Sequence, residues 1–319
     1  MRLTPRSELM ARISKLQQLM TAAGFDGTII VQNADLFYFT GTVQQSHLYV
    51  PANGKPIFMV RKSLARAKEE SALEEIIPLA NPKEIPSMLA DYGYRNLGVL
   101  GFEMDVLPAA HFMRYQKLFA STKLTDASNL IRTVKMVKSA YELGIIKEAA
   151  QMNQAMFSQF KDILHEGITE LELSAKMELL SRQMGHQGHI RTRGFNQEIA
   201  FLVLSGPNLA VPNHMDGPIG GPGLNPSFPQ GATNNKIQIN EPVMFDYGGM
   251  CDGYIVDQTR TFCIGRLPEK MTRAHETAIS IQNAIKQKAL PGVLCEDLYS
   301  LAVDMAHQAD LDDHFMGYP

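Results

Sequence analysis

The stretch EPVMFDYGGMCDGYIVDQTRTF, from Glu241 to Phe262, decides how the chain is read. Two apolar runs flank a turn at Asp252-Gly253. Each run carries one aspartate in otherwise apolar company: Asp246 after Val-Met-Phe, and Asp257 after Tyr-Ile-Val. Apolar runs on either side of an Asp-Gly pair read as a β-hairpin. Its register decides whether the carboxylates meet. If paired residue numbers sum to 503, Asp246 lies directly opposite Asp257, with Cβ atoms about 4.5–5.5 Å apart. If Asp252-Gly253 is a two-residue turn, the sum is 505 and the aspartates share a face diagonally, about 7–8 Å apart. An even sum puts them on opposite faces. Two carboxylates on one half-buried face repel, desolvation adds to the cost, and a divalent cation is the simplest compensator. The spacing also admits a solvent-facing pair on an exposed sheet face, with Asp252 no more than a turn residue.

Upstream, Leu9, Ile13, Leu16 and Met20 follow helical spacing, with Ser7 as candidate N-cap and Gly24 as the stop. Residues 27–31 suit a buried strand, and residues 47–50 and 57–60 around Asn53-Gly54 a hairpin. Helices are expected over 62–73 and 108–119, with a strand over 97–102. This alternation predicts an α/β domain over residues 1–130. From Leu130 to Phe160 the residues are good helix formers without proline, so a single long helix and a domain boundary near Ile131 are expected. A helix capped by Thr169 follows, then strands over 194–204 and 236–239, the 242–264 hairpin, and helices over 268–289 and 295–309. The Gly/Pro-rich segment Asp216 to Gly231 should be a loop.

Composition narrows the function class. With 45% hydrophobic and 20% charged residues and a net charge of -3, the chain is an ordinary globular protein with no basic surplus for nucleic acid. No stretch is apolar enough to span a membrane, and the charged N-terminus is not a secretory signal, so a cytoplasmic location is expected. Cys251, Cys263 and Cys295 lack paired spacing and read as ordinary thiols.

The hairpin resembles that of the pita-bread metallopeptidases, the family of methionine aminopeptidase, prolidase and Xaa-Pro aminopeptidase. The family pattern stands here as Asp246-Tyr-Gly248, Asp252-Gly-Tyr254 and Asp257-Gln-Thr-Arg-Thr-Phe262. Ser205-Gly-Pro-Asn208 followed by Pro212-Asn-His214 is similar to the family's Ser-Gly-x-Asn segment ending in Pro-His. Val134 to Ser139 resembles the domain junction, and Asn33 to Gly41 resembles the creatinase/prolidase N-terminal domain. The resemblance covers nearly the whole chain and favours the prolidase branch. It implies a creatinase/prolidase-type α/β domain over 1–130 and an incomplete α+β pita-bread catalytic domain over 131–319. The activity it implies is an Xaa-Pro aminopeptidase or dipeptidase acting on a small peptide with proline second. Two divalent metal ions (Mn, Co or Zn) would be bound by Asp246 and a bridging Asp257, with a metal-bridging hydroxide attacking the scissile carbonyl. His214 is the implied catalytic contact to substrate, and a homodimer is expected by the same analogy.

Three departures accompany the resemblance. Asn213 separates Pro212 from His214, so either His214 shifts by one position or Asn213 takes its slot. The 216–231 loop lengthens the connection to Asp246 and either shapes substrate choice or is a tolerated surface insertion. The family's downstream histidine and two glutamate ligands have no counterpart before Pro319, so a fragment, inactive as it stands, is expected. The other readings to weigh are a creatinase-like, metal-independent C–N hydrolase and a non-catalytic peptide-binding or protein-binding relative. A zinc site from His186, His189 and Glu198 has no support from the hairpin. Arg191 and Arg193 either line the cleft or are solvated, and Thr259 is placed to support a metal ligand.

Overall fold

A computed structural model describes residues 1–199, 201–215 and 217–316. The chain divides into two compact units: residues 1–145 with 191–199, and residues 146–190 with the described part of 200–319.

Unit 1 runs α1 (Arg6–Ala23), β1 (Gly27–Ile30), α2 (Asn33–Thr40), β2 (Ser46–Pro51), β3 (Ile57–Val60), α3 (Leu64–Glu70), β4 (Ile76–Pro78), α4 (Ile85–Asp91), β5 (Val99–Phe102), α5 (Ala109–Leu118), β6 (Lys123–Asp126) and α6 (Ser128–Met136). Its sheet has the order β4-β3-β2-β1-β5-β6. The β1–β2–β3 pairings are antiparallel and the outer pairings parallel. Alternate strand residues go to opposite faces. Ile30, Leu48, Val50, Phe58 and Val60 pack against Leu9, Ile13, Leu16 and Met20 of α1. Ile29, Tyr49, Ile57 and Met59 pack on the other face with Ile85, Leu89, Leu100 and Tyr115. Burial on both faces explains why β1 to β3 read as continuous apolar runs.

Unit 2 begins within α7 (Ala140–Ile163) and continues with α8 (Glu170–Gln183), β7 (Leu202–Ser205), β8 (Val243–Cys251), β9 (Tyr254–Phe262), α9 (Glu269–Lys288) and α10 (Cys295–Gln308). Strands β7, β8 and β9 form an antiparallel sheet. Its inner face (Val203, Val243, Phe245, Tyr247) closes on Met156, Phe160, Leu173 and Met177 of the two helices. α9 and α10 pair through Ile281, Ala302 and Ala306. Residues 217–231 contain no helix or strand; Asp216, the first residue of the expected loop, lies outside the described residues, as do residues 317–319.

Several expectations are corrected. Helix α1 starts after Pro5, not at a Ser7 cap, and Pro5 accepts from the amides of Glu8 and Leu9. The single helix over 130–160 is two, α6 and α7. The first ends at Met136 and Ser139 begins the second, because its hydroxyl accepts from the Glu142 amide while Glu142 accepts from the Ser139 amide. That is the reciprocal capping arrangement, and Ser-x-x-Glu was its signal. Ile131 and Val134 of α6 are buried in the core of unit 1, and the contact division falls at residue 145, within α7.

The strand expected over 194–204 is only β7. Residues 191–199 belong instead to unit 1, where the Arg193 guanidinium binds Asp35 (2.6 Å) and Asp105. Residues 236–239 form no strand beyond a single bridge, because the backbone of 233–237 is spent on the start of α8: Glu170 N donates to Asn235 O and Leu171 N to Thr233 O.

A buried side chain of α7 fastens the hairpin. Buried Asn153 donates through Nδ2 to Val256 O (2.9 Å) and Tyr247 O (3.3 Å). The helix comes so close that a Cβ at Gly249 would overlap Asn153 Oδ1. Gly249→Ala is therefore expected to cost about 2–3 kcal/mol through overpacking, read as a lower urea midpoint with an unchanged slope.

Candidate metal centre

Asp252 (φ 44°) and Gly253 (φ 82°) both have positive φ, the condition for a type I′ two-residue turn. The turn sets the register. Cys251 pairs with Tyr254 and the ladder runs to Val243 with Phe262, so paired numbers sum to 505. Asp246 lies opposite Thr259 and Asp257 opposite Gly248. The aspartates thus share a face on a diagonal, the arrangement expected for a two-residue turn.

The two side chains engage each other. The Asp257 carboxyl is pushed up to about 6, first by burial of its inner flank, then by the Asp246 charge and a side-chain hydrogen bond to Asp246. One proton between two carboxyls is the metal-free answer to like charges held together. Thr259 adds a third polar group, its Oγ1 donating to Asp246 Oδ1 at 2.7 Å. Apolar walls increase the cost of charge here. Leu202 of β7 pairs with Asp246 on its other side, and Leu204 and Met244 on the same face pack with Leu209 and Ile219. Gly248 leaves room for Ile190, whose Cδ1 would stand 2.7 Å from a Cβ there.

His214 is exposed in the loop after the 3-10 turn Gly206–Ala210. Among the described residues it makes no hydrogen bond to either aspartate. Asn213 is occupied locally, its Oδ1 accepting from the Met215 amide at 3.1 Å. His186 is a strand-edge partner. β7 pairs with β8 only as far as Asp246, and His186 Nε2 donates to the uncovered Gly248 carbonyl (3.1 Å) while Nδ1 accepts from the Gly188 amide (2.9 Å). Burial holds its pKa below the usual histidine value. With both ring nitrogens engaged, His186 has none for zinc. Arg193 is no cleft residue of unit 2, since it is clamped by two carboxylates in unit 1.

Sequence reading missed Glu170. It is fully buried, and its carboxylate accepts from the Ser205 amide (2.6 Å) and hydroxyl (3.0 Å), from Asn208 Nδ2 (2.9 Å), and from the Thr233 amide and hydroxyl (3.0 and 2.8 Å). It ties the Ser-Gly-Pro-Asn segment and the far end of the 217–231 loop to the start of α8. The signal was an acid directly after the Thr169 cap, where the capping role already belongs to Glu172.

Among the described residues, no group of three or more His, Cys, Asp or Glu side chains is placed to hold a metal ion. Asp246 and Asp257 are hard oxygen donors, and their strained proximity is what a divalent cation would relieve, so they fit such an ion as a pair of ligands. A dinuclear centre takes more donors than these two supply.

Two family models match the chain: the creatinase/prolidase N-terminal domain over residues 12–137, and metallopeptidase family M24 over residues 144–319. An Xaa-Pro dipeptidase of Lactobacillus helveticus is 25% identical over 314 residues, covering 95% of this chain and 79% of that protein. An Xaa-Pro dipeptidase of Pyrococcus furiosus is 23% identical over 310 residues, covering 96% and 79%. The crystal structure of the prolidase from Pyrococcus horikoshii OT3 superimposes with a TM-score of 0.78 at 20% identity, over 96% of this chain and 80% of that one. That structural likeness carries the fold: a creatinase-type N-terminal domain followed by a pita-bread domain.

The Asp257 shift fixes the sign of a pH effect. Its pKa in the folded chain, about 6, lies above the ordinary 3.8. The stabilisation from its bound proton is complete below the ordinary value and is lost as pH rises through about 6. In chelator-treated protein, Asp257→Asn is expected to raise the unfolding free energy near pH 8 by about 1 kcal/mol, reduced from the full shift by solvent screening. Near pH 3.5 the two proteins should unfold at the same urea concentration.

Proposed function

Because the chain belongs to metallopeptidase family M24, we propose that it is a metal-dependent exopeptidase that hydrolyses the bond between an N-terminal residue and a following proline. The observation that carries this reading is the diagonal pair Asp246 and Asp257, held on one face with the Asp257 carboxyl pushed up to about 6. Relatives named Xaa-Pro dipeptidase, aligned over almost all of this chain, support the substrate class.

In this reading Asp246 and Asp257 would contribute two of the ligands to a pair of divalent ions, Mn, Co or Zn. Bound there, such ions supply Lewis acidity and a nucleophile drawn from water near neutral pH. Thr259 holds the Asp246 carboxylate by donating to one of its oxygens, and the other would be available to an ion. Leu202 beside Asp246 and Ile190 over Gly248 supply apolar neighbours on the face of the pair, while Asp257 stays exposed to solvent. His214 contacts the peptide. Asn213, the other candidate, is taken up by its own turn, which favours the histidine. The 216–231 loop, joined to Glu170 through Thr233, borders the bound peptide and influences its length. The first domain, placed at residues 1–130, carries no catalytic group in this scheme. No described helix is long and apolar enough to cross a membrane. A cytoplasmic homodimer without nucleic-acid partners belongs to the same proposal.

Retention of both aspartates weighs against a creatinase-like, metal-independent hydrolase. The test uses the purified protein, stripped by chelator and resupplied with Mn, Co or Zn, with Ala-Pro as substrate. Hydrolysis is expected only after metal is restored. Asp257→Asn should lower kcat/KM by about a thousandfold, and Thr259→Val should weaken metal binding by about tenfold. Full activity after exhaustive chelation would overturn the reading, as would full activity in Asp257→Asn.

A further inference from the structure

Unit 1 contains a cavity of about 760 Å³ that the peptidase scheme leaves unused. All of its lining residues belong to unit 1. The walls are mostly apolar, with Val106, Leu107 and Leu118 among them, and the volume is in the range of small-molecule sites. Around it stand Arg61 after β3, Lys83 before α4, and Arg114 and Lys117 on α5. His111, Arg114, Tyr115 and Leu118 follow i, i+3, i+4, i+7 spacing, so one stripe of α5 looks into the hollow.

Among the described residues, cations without an ion pair also occur elsewhere in unit 1, Lys15 and Lys68 among them, but here four line one hollow, whereas others find carboxylates. Arg6, Arg66, Arg132, Lys135 and Arg193 all pair with carboxylates. Among the described residues, none of the four cations at the cavity forms an ion pair. The single acid in the lining, Glu103, is fully buried. Burial, then a hydrogen bond and repulsion from Asp35, push its carboxyl well above the usual range, and its Oε2 is taken up by the Val31 and Gln32 amides, so it pairs with none of the four cations. The chain as a whole is acidic, with net charge -3, so the cationic hollow is not a by-product of a basic protein. Its field is felt inside the wall: His47, 7% exposed, is held near 4 by burial and then by the charges of Arg61 and His111. His47 Nε2 is bonded to the Tyr115 hydroxyl at 2.7 Å, and its buried Nδ1 has no partner among the described residues.

We propose that this cavity binds a small organic anion, a carboxylate carried on an apolar chain or ring. The apolar part lies against Val106, Leu107 and Leu118, and the carboxylate sits among Arg61, Lys83, Arg114 and Lys117. Four exposed like charges lining one half-open hollow without an ion pair favour an anion, and the apolar part of its wall favours one with an apolar body over a bare ion or an extended nucleic acid. The site is independent of the aspartate pair, so its fate does not follow that of the peptidase reading.

The experiment is calorimetric titration of the full chain with sodium octanoate, with octanamide as neutral isostere and inorganic phosphate as bare anion. One saturable octanoate site is expected. Octanamide should bind at least fivefold more weakly, and phosphate should compete poorly. The Arg114→Gln/Lys117→Gln double variant and, on a different element, Arg61→Gln should each weaken octanoate without moving the thermal midpoint. Asp257→Asn should leave octanoate binding unchanged. Absence of a saturable site overturns the proposal, as does unchanged octanoate affinity in both cation variants. Phosphate competing as well as octanoate overturns the apolar half of it.

Discussion

Two carboxylates that repel each other are held together by a register, and much of unit 2 serves to keep that register from slipping. A shift by one residue would send Asp246 and Asp257 to opposite faces and would turn the apolar side of β8 to water. The turn at Asp252-Gly253 sets the count, since only residues able to take positive φ close a two-residue hairpin of the right twist. The inner face makes the count costly to change: Phe245 stacks on Phe160 with ring centroids 4.8 Å apart, and Phe262 lies 4.5 Å from the same ring. The electrostatic cost of the aspartate pair is thus borne by burial on the opposite side of the same strands.

Three polar anchors finish the work that packing begins. Asn153 joins both strands to α7, His186 covers a carbonyl on β8 that β7 does not reach, and Glu170 gathers five donors from two separate segments. Each is buried, and each would leave orphaned partners if removed. They also explain how long, irregular connections coexist with an ordered site: the segments around Ser205 and Thr233 are positioned by one carboxylate on a helix.

What the sequence disclosed follows from which interactions are local. The α1 stripe, the β2–β3 hairpin, the Thr169 cap and the 242–264 hairpin depend on neighbours a few residues away, and they stand where spacing places them. The segment 191–199 was read as strand because its own residues allow it, yet the partners of Arg193 are Asp35 and Asp105, some 158 and 88 positions distant. Residues 236–239 likewise form no strand, the backbone beside them being engaged by the amides at the start of α8. The break at Ser139 was legible but outweighed by a long run of good helix formers. For the site, the shared face of Asp246 and Asp257 could be narrowed to two registers; choosing between them needed the turn. Glu170 could not be singled out, because its donors are 35 to 63 positions away.

The adjacent glycines at 248 and 249 have a consequence for how this hairpin can change over time. One lies on the aspartate face under Ile190, the other on the helix face under Asn153. The strand is therefore bare backbone at one point along its length, with a different neighbour pressed into each side. A side chain gained at either position demands a compensating loss in a different element, so the two sites drift independently although they are consecutive in sequence. The narrowest point of the hairpin is in this sense its least forgiving, and one of its two glycines, Gly248, is the residue paired with Asp257.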